Sequence, residues 1–437
     1  KHLGLSGTVT RDAFRRLFRG YHPLGGGGPE DPPEQRIALV QNAGNQNRQP
    51  GWDLTFSAPK SVSVIWSQAA PEMRDRIEEL HHEAIKSTFD FIEANFAFSR
   101  TGKAGRGDPV KVKLAVSVFE NGTSRAVEPL LHSHSIAHNI GVDASDPENP
   151  KYRTIVSKHF YKHKMLSGAY YRAKLAHLMH AAYGFEAERK RNEFDIRGVP
   201  QELIDAHSTR RHEIEAELEK KGASGAKAAE EAALNTRKKK KKQFPREMLF
   251  PEWQKTNALH GFDTAALERL VRPRPTDYTQ FFPKILKRAT KTISRNRSHF
   301  TLYEFLREAL YEAPQFGVPP ELVVEAAHKY LSESPKIVPI PTQNRYTTEA
   351  TLKEEVALLN AVGKLKRRSG VRVNNSIFSN VVARHSQLNE QQQAAIKHIT
   401  QDDSAIRIVQ GYAGVGKTTM LRAAVEAWKD EECNVVG

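Results

Sequence analysis

The sequence predicts an α+β fold: an antiparallel sheet backed by helices, then a small helical domain and the start of a P-loop α/β domain. Three observations carry this. Val110 to Phe119 alternates apolar with polar or small residues and is rich in valine, and Leu130 to Ile140 follows as a second strand after a turn marked by Gly122 and Pro129. Stretches with a helical apolar period lie on both sides of this pair. Near the C-terminal end, Gly411 to Thr418 reads G-x-x-x-x-G-K-T between a short apolar run and a helix-forming segment.

Composition narrows the possibilities. The 437 residues are enough for two or three domains, and 66 basic against 51 acidic side chains give a formal charge of +15, which favours polyanionic partners. No apolar run is long enough for a membrane span. The single cysteine, Cys433, rules out a disulfide framework and fits a reducing cytoplasm. The opening KHLGLSG has neither an initiator methionine nor a signal peptide, and the closing ECNVVG stops inside an apolar run, so both ends read as cut.

Taken in order, a helix starts at Thr10 with Phe14, Leu17 and Phe18 on one side, and residues 21–49 read as a loop holding at most one strand. Trp52 to Val64 reads as a strand and a turn in which Lys60 and Ser61, beside Pro59, suit a phosphodiester. Pro71 to Phe98 is an amphipathic helix with Ile77, Leu80, Ala84, Ile85, Thr88 and Phe89 inward, and His81, His82 and Glu83 within it. The loop Arg100–Pro109 carries cations suited to a DNA backbone. In the second strand, period two sends His132, His134 and His138 to one face. Two imidazoles flanking Ser133 are the minimum of a divalent-metal site and need a third ligand. The preceding turn supplies Thr123, Ser124 and Arg125, groups suited to phosphate oxygens.

FENGTSRAVEPLLHSHSIAHN and GWDLTFSAPKSVSV together resemble the signatures of conjugative relaxases of the TrwC/TraI type, members of the HUH endonucleases. LGLSGTV and FDIRGVPQELIDAHSTRRHEIEAEL extend the resemblance over residues 1–262. The resemblance implies a divalent metal (Mg, Mn or Zn) held by three histidines, of which two match His132 and His134 and the third falls on Asn121. An amide oxygen is a weaker ligand than imidazole, so Asn121 either ligates weakly or marks a degenerate site. It further implies Arg125 as a phosphate clamp and an acidic residue on the long helix, where the apolar stripe places His82, with Glu83 one residue round. The family's nucleophilic tyrosines belong to a segment upstream of this sequence, and the adjacent Tyr170 and Tyr171 read as packing residues.

Further on, a helix runs from Lys158 to His180, Phe194–Val199 is a short strand, and Pro200 opens another helix. The six cations Arg237–Lys242, with Lys238, Lys239 and Lys240 at their centre, form an electrostatic patch for nucleic acid. Residues 263–299 read as a basic linker, 300–384 as a helical accessory domain, and 385–437 as the start of a P-loop domain: a strand at Ala405–Gln410, the loop, and a helix from Thr419 to Trp428. Gly411, Gly414 and Gly416 free the loop backbone to wrap phosphate, Lys417 meets the β- and γ-phosphates, and Thr418 meets the Mg²⁺ of bound ATP. Leu388-Asn389-x-x-Gln392 resembles superfamily 1 helicases of the RecD type, which implies that Gln392 reads adenine.

The expected function is that of a fragment of a conjugative relaxase–helicase. The parent would nick and rejoin single-stranded origin-of-transfer DNA through a phosphotyrosine and unwind DNA with ATP, in the cytoplasm, with accessory relaxosome proteins and a coupling protein as partners. The fragment itself is expected to be inactive. The rival reading is a non-catalytic module that binds single-stranded DNA and nucleotide.

Overall fold

A computed structural model describes residues 3–5, 7–25, 36–102, 106–143, 145–146, 148–236, 245–273, 277–295 and 297–436. The chain forms two compact units, Lys1–Ser334 with Ile340–Tyr346, and Pro335–Pro339 with Thr347–Gly437.

The first unit is organised by a four-stranded antiparallel sheet. It follows helix α1 (Arg11–Arg19), which Thr10 caps by accepting from the Ala13 N–H, and consists of β1 (Gly51–Ser57), β4 (Lys113–Thr123), β5 (Pro129–Asp143) and β6 (Lys151–Arg153). β5 lies in the middle, with β1 on one side and β4 on the other, while β6 pairs with its far end. Between β1 and β4 run α2 (Lys60–Gln68), α3 (Pro71–Asn95) and the small ribbon β2 (Phe98–Arg100) and β3 (Pro109–Lys111). The inward stripe expected for α3 is buried as read, with His81 added to it.

α4 (Lys158–Tyr183) packs against α3 and ends on Gly184 in the left-handed region, φ 73°. The ribbon β7 (Ala187–Lys190) and β8 (Glu193–Ile196) leads into α5 (Gln201–Ala206), α6 (Thr209–Lys220), α7 (Ala226–Asn235) and α8 (Phe250–Leu259). α8 closes the core from below: Phe250 and Trp253 pack on the fully buried Trp66 ring, whose N–H donates to Glu78 at 2.9 Å.

Three expectations change here. Lys60–Gln68 is a helix, not the tail of a strand and turn. Its alternating KSVSVIWS mimics a strand, but every residue from Ser61 to Gln68 is buried, so the helix carries no polar stripe to reveal its period. The segment 263–299 is not a linker, because it holds α9 (Thr264–Leu270) and α10 (Phe282–Ser294). The apolar positions Ile285, Leu286, Ala289 and Ile293 of α10, hidden in sequence among lysines and arginines, are buried against α11 (Leu302–Glu312). The accessory domain expected at 300–384 is divided as well: α11 and α12 (Pro320–Glu333) belong to the first unit and pack on α4.

The second unit contains α13 (Glu349–Lys366), α14 (Asn375–Arg384), α15 (Glu390–Gln401) and α16 (Lys417–Asp430). Val373, Val381, Leu388, Ile396, Ile399, Met420, Ala423, Ala424 and Ala427 form its core. The strand expected at Ala405–Gln410 is not formed: these residues belong to no strand among the described residues. Ile408 and Val409, whose side chains would be covered by helices on the faces of a buried parallel sheet, are solvent-exposed.

Trp66 is the test of this core. Trp66→Ala removes its packing with Phe250 and Trp253 and should cost about 3–5 kcal/mol. Urea unfolding followed by circular dichroism measures it, and a loss below about 1 kcal/mol would contradict this account of the packing.

Candidate functional site

β5 sends alternate side chains to opposite faces of the sheet. On one face His132 and His134 stand side by side, with ring centroids 5.4 Å apart. The register sets their neighbours on that face: β1 brings Ser57 opposite His132, Thr55 opposite His134 and Asp53 opposite Ile136, and β4 brings Asn121 opposite His132 and Phe119 opposite His134.

Hydrogen bonding fixes the chemistry of each ring. His132 Nδ1 lies 2.9 Å from the Leu130 carbonyl, which can only accept, so Nδ1 carries the proton and Nε2 the lone pair. His134 Nδ1 lies 2.7 Å from the Asp53 carboxylate and 3.2 Å from the Thr55 hydroxyl, which donates in turn to Asp53. That partnership assigns its Nδ1 as donor and leaves the lone pair on Nε2. A carboxylate or carbonyl behind each imidazole is the usual outer shell of a metal-binding histidine. Among the described residues no three His, Cys, Asp or Glu side chains converge to hold a metal. The groups that could hold a divalent cation here are the two imidazoles, with Asn121 opposite His132 in register as a candidate third. His138 lies on the same face, but it is buried under α1, against Phe14 and the Ser117 hydroxyl.

The opposite face holds the sheet in place. Ser133 hydrogen-bonds at 2.9 Å to His81 Nε2, and His81 Nδ1 to the Tyr171 hydroxyl at 2.7 Å, all three being buried. Burial pushes the His81 imidazole down to about 3, so it is neutral, and raises the Tyr171 and Tyr170 phenols well above their ordinary values. Next to His81, His82 pairs with Glu120 at 3.0 Å, and Arg246 bonds Glu120 at 2.7 Å and reaches Glu78.

Several sequence assignments change with this geometry. His82 and Glu83 lie on α3, behind the sheet. His82 is tied to Glu120 and Glu83 faces solvent, so the sheet separates both from the histidine pair. Ser61 is 0% exposed and its hydroxyl accepts from the Ile196 N–H, which rules out DNA contact. Lys60 donates to the Pro129 carbonyl at 3.0 Å, and burial lowers its ammonium to about 8, so it braces the start of β5. Asp53 was overlooked in the sequence although it stands in the signature GWDLTFSAPK. The usable signal was parity: a carboxylate two residues before Thr55, in a strand adjoining β5.

The turn after β4 is rigid. Ser124 donates to Glu128 at 3.0 Å, Glu128 accepts from the Thr209 N–H, and Trp253 donates to the Val127 carbonyl, which holds Val127 at φ 68°. Thr123 pairs with Pro129 close to Asn121 and His132, and Arg125 lies within the same half-buried turn. Lys238, Lys239 and Lys240 lie outside the described residues.

In the second unit the loop leading into α16 has Gly414 at φ 79° and Gly416 at φ 78°, a conformation natural to glycine. Lys417 Nζ donates to the Gly411 and Tyr412 carbonyls at 2.9 and 2.7 Å, and Thr418 is exposed at the helix start. Gln392 has a structural role that its sequence reading does not include. Its amide oxygen accepts from the Asn389 N–H to complete the α15 capping box, and its amide NH₂ donates to the Val415 carbonyl, tying cap to loop.

The ligand geometry makes a direct prediction. Asp53→Ala should weaken Mn²⁺ or Zn²⁺ binding about 10–100-fold by releasing His134, whereas Asn121→His should strengthen it. Isothermal titration calorimetry measures both, and unchanged affinity in Asp53→Ala would remove Asp53 from the site.

Comparison with known proteins relates the chain to two families. Residues 1–260 match the TrwC relaxase family and residues 387–437 the AAA domain family. The multifunctional conjugation protein TraI of Escherichia coli (strain K12) is 26% identical over 441 residues, covering 95% of this chain and 23% of TraI. The chain thus spans about a quarter of that relative's length. A structure of the conjugative relaxase TrwC with a mutant oriT DNA is 28% identical, covering 60% of this chain and 89% of that one, with a TM-score of 0.51. A metal-bound TrwC–oriT complex, also 28% identical, covers 60% and 86% with a TM-score of 0.49. With the family match extending over more than half of its length, the chain belongs to the TrwC relaxase family.

Proposed function

We propose that this chain is the DNA-processing portion of a conjugative relaxase–helicase. Its first unit binds single-stranded origin-of-transfer DNA and presents one phosphodiester to His132 and His134. Its second unit supplies a phosphate-binding loop for ATP with Mg²⁺. The observation that carries this reading is the imidazole pair, side by side on one face, whose Nδ1 atoms are both committed to hydrogen bonds, so that the two Nε2 atoms keep the lone pairs. Family membership and the net charge of +15 support it.

A divalent cation at this point would polarise a non-bridging phosphate oxygen and offset the charge of the pentacovalent transition state. The chain's own residues set the geometry. Leu130 and Asp53 hold the two rings in orientation, Asn121 offers its amide oxygen beside His132, and the Ser124–Glu128 turn presents Arg125 toward the DNA backbone. In the reaction a tyrosyl oxygen bonds to phosphorus while the bond from phosphorus to the 3′ oxygen breaks, releasing a 3′-hydroxyl. A later 3′-hydroxyl reverses the exchange without loss of bond energy to water.

Neither Tyr170 nor Tyr171 serves as that nucleophile. Tyr171 is buried behind the sheet and bonded to His81, and Tyr170 donates to Glu321. In the cell the reading places the protein in the cytoplasm, with relaxosome accessory proteins and a coupling protein as partners. Among the described residues, no helix is long and apolar enough to cross a membrane.

One set of titrations tests this. The chain should bind single-stranded oligonucleotides with affinity falling steeply between about 50 and 200 mM salt. His132→Ala with His134→Ala should abolish the metal-dependent part of that affinity, and Lys417→Ala should weaken ATP binding while leaving DNA binding intact. With labelled origin DNA and Mn²⁺, no phosphotyrosyl adduct should form on Tyr21, Tyr170 or Tyr171. Salt-independent binding, or an adduct at one of those positions by mass spectrometry, would overturn the proposal.

A further inference from the structure

Beside the histidine pair lies a strip of aromatic rings, two of them exposed among the described residues. Phe119 stands directly across from His134 in the β4–β5 register and is 40% exposed. Helix α1 lies over the neighbouring part of the same face, seated by Ala13 and Leu17, which are buried. That seating leaves Phe14 and Phe18, one turn apart, along the side of the helix facing β4. The Phe14 ring meets Phe119 edge-on at 5.3 Å, and Phe18, 42% exposed, follows at 5.7 Å. Arg11, three residues before Phe14, continues this ridge, and Arg15 lies one turn beyond Arg11. Both are exposed, with Asp12 the one carboxylate on the helix.

Packing within the chain does not require two exposed phenylalanines at this position. Arg11 and Arg15 are exposed on the same helix, and His134 stands across the strand pair from Phe119. Aromatic faces set along a cationic track are how proteins hold unpaired bases without reading their sequence. We infer that Phe18 and Phe119 form a stacking platform for the bases next to the phosphate at His132 and His134, with Arg11 and Arg15 on the adjoining backbone. The inference rests on the single-stranded DNA reading above. It adds the residues that select an unpaired strand over a duplex, whose bases are already stacked on one another.

The test uses the full chain and an oligo-dT carrying one 2-aminopurine. Phe18→Leu and Phe119→Leu keep apolar volume but lose the ring, whereas Phe18→Trp and Phe119→Trp keep stacking. Each leucine variant should lose about tenfold in affinity, together with the quenching of 2-aminopurine, while the tryptophan variants retain both. Arg11→Gln and Arg15→Gln should each lower the salt slope by about one while leaving the quenching intact. Leucine variants that bind and quench like the unaltered chain would overturn the platform alone. So would a change in oligomeric state by light scattering in place of a change in affinity, because the patch would then face protein. An unaltered chain that binds no single strand would overturn both this inference and the reading beneath it.

Discussion

The site depends on one constraint, the two-residue alternation of β5. His132 and His134 share one face because Ser133, between them, is held on the other by a buried chain of hydrogen bonds running through His81 to Tyr171. A slip of one residue would exchange the faces, burying two imidazoles and exposing a serine whose partners would be left unpaired. The neutrality of His81 belongs to the same constraint, since a charged imidazole at that depth would be expensive without a carboxylate beside it.

Around this strand the supports are distributed rather than concentrated. Arg48 donates to the Phe18 and Asn139 carbonyls, so it ties α1 to the far half of β5. Asn139 bonds the Gln49 carbonyl and the Ile155 N–H, joining β5 to the segments before β1 and after β6. Lys60 holds the start of the strand through Pro129, and Glu128 links the preceding turn to α6. Several side chains that carry charge or hydroxyl groups therefore serve position rather than chemistry. A metal and a phosphate can be aligned only by ligands whose own orientation is fixed in this way.

How much of this was legible in the sequence followed from where the local signal lay. Asn121, read as part of the turn after Phe119, lies within β4. The strand bearing His132 and His134 and the long helix from Pro71 were readable because each is half-buried and shows its period. α2 was not, because burial on all sides erased its polar stripe. α10 was not, because its four inward residues are outnumbered by cations that point to solvent. His82 and Glu83 were assigned to the site on resemblance and helical phase, yet phase alone does not say on which face of the sheet a helix packs. Asp53 illustrates the reverse, since its role depends on register with a strand about eighty residues away, a non-local fact. Gln392 shows a similar limit: the motif points to a nucleotide base, whereas the hydrogen bonds also reveal a tie between the α15 cap and the phosphate loop.

The central claim is that His132 and His134 present their Nε2 atoms to one divalent cation. Its most direct measurement is anomalous diffraction at the zinc edge from crystals of the chain soaked in Zn²⁺. The account predicts a single strong peak about 2.0–2.1 Å from Nε2 of both histidines, with the Asn121 amide turned toward it and Asp53 still on His134 Nδ1. A peak on Nδ1 of either ring, or zinc bound elsewhere with none between His132 and His134, would contradict it.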